Sequence, residues 1–162
     1  MSIRGAFDLR YKQRGHKGTI MSAANKEVIR TFIEDVINQN RLDRADDLVQ
    51  EDFVELDPLP GQQQGREGLK GILASMRTAF PDIHWTIHEM VSEGDKVVSR
   101  FHWTGTHRAP FVGIPATGKS VLVHGVVIDR LEQGRMADSR ILMDTLSLMQ
   151  QLGVIPAPAA AG

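Results

Sequence analysis

Apolar residues recur at steps of one, three and four through Val28, Ile29, Phe32, Ile33, Val36 and Ile37. That spacing predicts an amphipathic helix over Ser22 to Asn40, with Ser22 as its N-cap. Leu42, Ala45, Leu48 and Val49 suggest a second, short helix. Phe53 to Leu56 reads as a short strand stopped by Pro58 and Pro60. Leu69, Ile72, Leu73, Met76 and Phe80 mark one face of a helix from Gly65 to Phe80, which Pro81 ends. The period then changes. Ile83, Trp85 and Ile87 alternate with polar residues, and so do Val97, Ser99, Phe101, Trp103 and Gly105. Alternation rich in β-branched and aromatic residues predicts strands. Two more strands follow over Ser120 to Leu131 and Arg135 to Asp144, joined by Glu132-Gln133-Gly134. Asp144 reads as the N-cap of a last helix containing Leu146, Leu148, Met149 and Leu152, closed by Gly153.

Helices first and an antiparallel meander second make an α+β fold, a curved sheet with helices on one face. Such a layout leaves a conical space suited to a small organic ligand. The 162 residues are 41% hydrophobic and 24% charged, the balance of one globular domain with a core. Without cysteine there is no disulfide, thiolate metal site or cysteine nucleophile. A net charge of −1 argues against nucleic acid as a partner. No apolar run approaches the roughly 18 residues of a membrane span, so no membrane partner is expected. Residues 1–20 hold five basic groups against one acid and lack the apolar core of a secretory signal. The expected organisation is an extension over 1–21 that packs on something, a neighbouring subunit for example. A domain over 22–153 and a tail over 154–162 follow it, and the expected location is the cytoplasm.

Five strings carry a resemblance: Ala79-Phe80-Pro81-Asp82, Glu93 to Val98, Gly105-Thr106-His107, Phe111 to Gly118, and Gln150-Gln151-Leu152-Gly153. In order and spacing they resemble the SnoaL-like polyketide (ester) cyclases of the nuclear-transport-factor-2-like superfamily. The resemblance implies a cone-shaped, cystatin-like α+β barrel whose N-terminal helices and curved antiparallel sheet enclose a pocket. It implies a hydrophobic small-molecule substrate and a homodimer or tetramer. It also implies cofactor-independent acid/base chemistry, such as intramolecular aldol closure, with no metal. The same fold hosts non-catalytic binding proteins and epoxide hydrolases, which stand as the alternatives.

An aldol closure needs a base for the proton beside a carbonyl, and an acid for the new alkoxide. The resemblance implies an aspartate for this role, with a histidine fourteen residues earlier, and His124 and Asp138 have that spacing. Whether they share a face depends on the hairpin. A three-residue loop, Glu132 to Gly134, puts His124, Val126, Ile128, Asp138, Arg140 and Leu142 together. A two-residue loop, Gln133-Gly134, turns His124 away, because a one-residue slip inverts every side chain. Glycine in the last loop position favours the three-residue form. The candidate substrate-binding residues are Arg140, His107, Trp103, His102, Phe32, Phe53, Asp57 and Met76. Arg140 stands where the family commonly has tryptophan. Pairing with Asp138 would make that aspartate a poorer base.

Overall fold

The computed structural model describes residues 21–156. The expected N-terminal extension, but for residue 21, and the tail beyond residue 156 lie outside the described residues. Residues 21–31 are α-helical and run without a break into a π-helical segment, Phe32–Asn38. We call the two together α1. The widened turn closes through the backbone N–H of Gln39, which donates to the carbonyl of Glu34 five residues back at 2.9 Å. Phe32, Ile33, Val36 and Ile37 are buried there, as their spacing predicts. Ser22 is already helical, so it is not the N-cap. Its hydroxyl instead donates to the carbonyl of Ser92 at 3.4 Å.

A 3-10 turn, Leu42–Arg44, leads into α2, Ala45–Leu48, and then β1, Val49–Glu55. β1 begins earlier than the sequence suggests: Val49 opens the strand rather than ending a helix. Helix α3 spans Gly65–Ala79. Four strands follow: β2, His84–Glu93; β3, Lys96–Thr106; β4, Ser120–Glu132; and β5, Arg135–Met143. Helix α4, Thr145–Leu152, ends the described fold. Asp144 caps it by accepting from the backbone N–H of Ser147 at 2.9 Å, and Gly153 closes it in the left-handed conformation.

The sheet order is β1-β5-β4-β3-β2, five strands in a curved, unclosed layer. It is mixed rather than wholly antiparallel, because β1 returns parallel to β5. Along β3 and β4 burial alternates strictly, with odd-numbered residues inward and even-numbered residues outward. The inward set packs on α1 and α3 in a single core that includes Val97, Phe101, Trp103, Val123 and Val127. Trp85 and Phe101 stack with ring centres 4.3 Å apart, and Phe80 meets Trp103 edge to face.

The β4–β5 hairpin corrects the expected loop. Glu132 pairs with Arg135, so the loop is the two residues Gln133 and Gly134, both at positive φ. Two positive φ values in a row define the type I′ turn, whose twist matches the flanking strands. The register then shifts by one between Arg130 and Leu131. Ala137 is the extra residue, and Met136 and Ala137 are buried in succession where alternation would put only one inside. The bulge restores the parity that the short loop reverses. His124 and Asp138 therefore share a face, through a different geometry from the expected one.

Candidate active site

Three neighbouring strands carry Glu55, Ser139 and Asp129 into one row. Glu55 pairs with Ser139 in the parallel β1–β5 ladder, and Ser139 pairs with Asp129 in the antiparallel β4–β5 ladder. All three are buried polar residues, and all three line a hollow between the sheet, α1 and α3. The rest of that wall is apolar apart from Gln62, with Phe32, Phe53, Met76 and Trp85 among its largest members. The hollow measures about 80 Å³. A single water needs roughly 10–15 Å³ by that measure, so the hollow is not packed solid.

Ser139 fixes Asp129: its hydroxyl donates to Oδ1 at 2.6 Å. Asp129 is 2% exposed. Burial pushes its carboxyl up from the ordinary value of 3.8 to about 7, and the negative charges of Glu55 and Asp138 push the same way. The Ser139 hydrogen bond opposes the rise without cancelling it. Glu55 is raised as well, by burial first and then by the charge of Asp57, against backbone N–H groups that favour its ionised form. The backbone N–H of Asp57 donates to Glu55 Oε1 at 3.2 Å. Glu55 ends an edge strand, and Gln64 satisfies its backbone on both sides. The Glu55 N–H donates to Gln64 Oε1 at 3.1 Å, and Gln64 Nε2 donates to the Glu55 carbonyl at 3.2 Å. A carboxyl that titrates near neutrality, fixed by a hydroxyl on an apolar wall, can both take and return a proton at ordinary pH.

The residues expected from sequence divide between this hollow and other places. Phe32, Phe53 and Met76 line it. Asp138 and His124 do not. Both project from the opposite, outer face of the sheet, Asp138 half-buried and His124 exposed. Asp138 forms an ion pair with Arg130 across the β4–β5 ladder at 2.5 Å, so its partner is not Arg140. Arg140 is also outside and meets Asp57 at 3.3 Å, which ties two expected pocket residues into a surface pair. His102 is on the outer face too. Its Nδ1 lies 2.6 Å from Nε2 of His88, and it sits directly across from His124. Desolvation first, then the neighbouring imidazoles of His88, His124 and His84, depress the pKa of His102. Trp103 is core rather than pocket wall. His107 is fully buried beyond the end of β3, stacked on Phe80, with Nδ1 3.2 Å from the Thr117 hydroxyl. Among the described residues no cluster of histidine, aspartate and glutamate has the geometry to hold a metal. No described helix is long and apolar enough to cross a membrane.

Asp129, Ser139 and Glu55 were absent from the sequence expectations, although a signal for them exists. Asp129 follows Val121, Val123, Gly125 and Val127 in step, and Ser139 falls in step with Ile141 and Met143. A carboxylate in the buried register of a strand is a buried polar group that needs a reason.

Residues 27–152 match the family described as SnoaL-like polyketide cyclase. Among solved structures, TsrD from Streptomyces laurentii is 28% identical with a TM-score of 0.76, over 82% of this chain and 97% of that one. A candidate polyketide cyclase from Bacillus cereus is 28% identical with a TM-score of 0.71, over 82% of each chain. IdmH from Streptomyces antibioticus, described as a candidate polyketide cyclase, is 26% identical with a TM-score of 0.71, over 80% of this chain and 98% of that one. No curated protein matches the chain.

Proposed function

Since this chain belongs to the SnoaL-like polyketide cyclase family, we propose that it closes a ring in a hydrophobic keto compound, with Asp129 as the acid/base group. One observation carries the reading: a buried carboxyl with its pKa raised to about 7, hydrogen-bonded by Ser139, on the wall of an apolar hollow. In its ionised form Asp129 takes the proton from the carbon beside a substrate carbonyl. Glu55, whose burial favours the protonated form, donates to the enolate oxygen that results. The enolate carbon attacks a second carbonyl of the same substrate and one carbon–carbon bond forms. The proton held by Asp129 passes to the new alkoxide, so the product is an isomer of the substrate. No electron acceptor or external base enters the balance. The Ser139 hydroxyl holds the carboxyl of Asp129 in place through both transfers.

The test is proton exchange and closure on aromatic polyketones with an acidic α-position, followed by NMR in deuterated water and by mass spectrometry. Asp129→Asn should cut both rates by about 100-fold or more. An unchanged exchange rate in that variant would remove Asp129 from the chemistry.

The outer face supports a proposal about assembly. Val126 and Leu142 pair across β4 and β5, and Val98 and Ile128 pair across β3 and β4. These four side chains are 36–70% exposed. Adjacent exposed apolar side chains of this kind mark a protein interaction surface. The proposed occupant is a second copy of this chain.

A further inference from the structure

The hollow holds two carboxyl groups and no basic side chain. None of its lining residues is lysine, arginine or histidine, while Glu55 is 6% and Asp129 2% exposed. Buried acids are ordinarily matched by a cation or a full set of hydrogen bonds. Asp129 has one such bond, from Ser139, Glu55 accepts one from the backbone N–H of Asp57, and the two acids stand two strands apart in the same row. Adjacent strands lie about 4.8 Å apart, so the two acids flank Ser139 with their backbones roughly 10 Å from each other. Both acids line the hollow, one on either side of Ser139. A second unsatisfied polar group belongs to the same wall. Trp85 lines the hollow, and its indole N–H, shielded from solvent, has no hydrogen-bond partner. An occupant that brings an oxygen acceptor would satisfy it.

We propose that the hollow also binds hydrophobic amines, with the ammonium group between Glu55 and Asp129 and an oxygen of the ligand available to Trp85. Such a ligand competes with the keto substrate. It occupies the carbonyl end of the site and draws Asp129 into an ion pair, which removes its capacity as a base. Aromatic and thioether side chains of the wall, including Phe32, Phe53 and Met76, receive the apolar body. A carboxylate ligand of the same shape meets two acids and no cation, and is excluded.

The inference rests on the reading of the hollow as a ligand site, and four probes separate the two. They are 4-methoxyphenethylamine, 2-(4-methoxyphenyl)ethanol, 4-methoxyphenylacetate and the neutral ketone 4-(4-methoxyphenyl)-2-butanone. Binding is read by calorimetry on the full chain at pH 8. The amine should bind about tenfold more tightly than the alcohol, because a hydrogen bond to a charged group exceeds a neutral one by about that factor. The phenylacetate should not bind. Asp129→Asn and Glu55→Gln should each erase the preference for amine over alcohol. Two variants are used so that a folding defect in one does not decide the matter. Asp138→Asn on the outer face should keep the preference. If the ketone binds and the amine is no better than the alcohol, the amine proposal falls and the ligand site stands. If neither ketone nor amine binds, both fall.

Discussion

Asp129 is a buried acid whose pKa is raised, so it should make the protein less stable as the pH rises, the reverse of a salt-bridged carboxylate. The perturbation that isolates this is Asp129→Asn, which keeps an oxygen to accept from Ser139 and removes the ionisation. The sign follows from proton counting. Between pH 3.8 and about 7 the folded chain holds a proton on Asp129 that the unfolded chain has lost. Unfolding then releases a proton, and stability falls by about 1.4 kcal/mol per pH unit across that window. Over about three pH units the loss approaches 4 kcal/mol, and above about pH 7 this contribution is flat. Glu55 is raised too and adds to the fall. Glu34, Asp46 and Asp82 have lowered values and contribute the opposite slope, but only as they ionise below their ordinary values near 4.

The assay is urea denaturation of both proteins at pH 5, 6, 7 and 8, read by tryptophan fluorescence. The quantity of interest is the difference between the two curves, since every other titrating group is common to both. Relative to Asp129→Asn, the native chain should lose about 2 kcal/mol between pH 5 and pH 7 and little more by pH 8. That loss is a large part of the 5–15 kcal/mol by which domains are typically stable. Parallel curves would mean that Asp129 is ionised in the folded chain at pH 5, and would refute both the buried acid and its use as a base near neutrality.

Three further outcomes follow from the structure. Asp138→Asn should leave ring closure and ligand binding within about twofold, because Asp138 faces Arg130 on the outer surface; a loss comparable to that of Asp129→Asn would return the chemistry to the outer face. Gly125→Ala should destabilise the fold by about 1–3 kcal/mol in thermal melts, since the added carbon would stand 2.5 Å from the Phe101 ring and 2.9 Å from the Leu142 carbonyl oxygen; an unchanged melting temperature would contradict that packing. Leu142→Glu should convert the proposed dimer to a monomer in light scattering, as Leu142 is 70% exposed on the apolar outer face; a dimer that persists would place the interface elsewhere.

The helices and strands were legible because their signal is local. The stripe from Val28 to Ile37 and the alternation from Val97 to Gly105 each fix an element and its buried face without reference to the rest of the chain. Cap residues carry the same kind of information, and Asp144 does cap α4. The site was less legible because it depends on register between strands, which is not local. On β4 both registers carry apolar residues: Val121, Val123, Val127 and Leu131 in one, Leu122, Val126 and Ile128 in the other. A sheet with an apolar outer surface therefore hides which set faces the core. The spacing of His124 and Asp138 selected the second set, and the helices cover the first.

The hairpin shows why parity alone could not decide. The two-residue turn at Gln133-Gly134 and the extra residue at Ala137 each shift the alignment by one, and together they cancel. Nothing about Ala137 as a residue type announces a bulge; its effect is visible only once Arg130 is seen opposite Asp138 and Asp129 opposite Ser139. The bulge is what places Ser139 within 2.6 Å of Asp129 on the inner face. Without it, residue 138 would stand opposite residue 129 and put a second carboxylate beside the first, with Arg130 left to pair elsewhere. The single unpaired alanine thus separates the two aspartates. One is paired with an arginine on the outer face. The other is held by a serine hydroxyl in the interior, where burial makes it an acid that titrates near neutral pH.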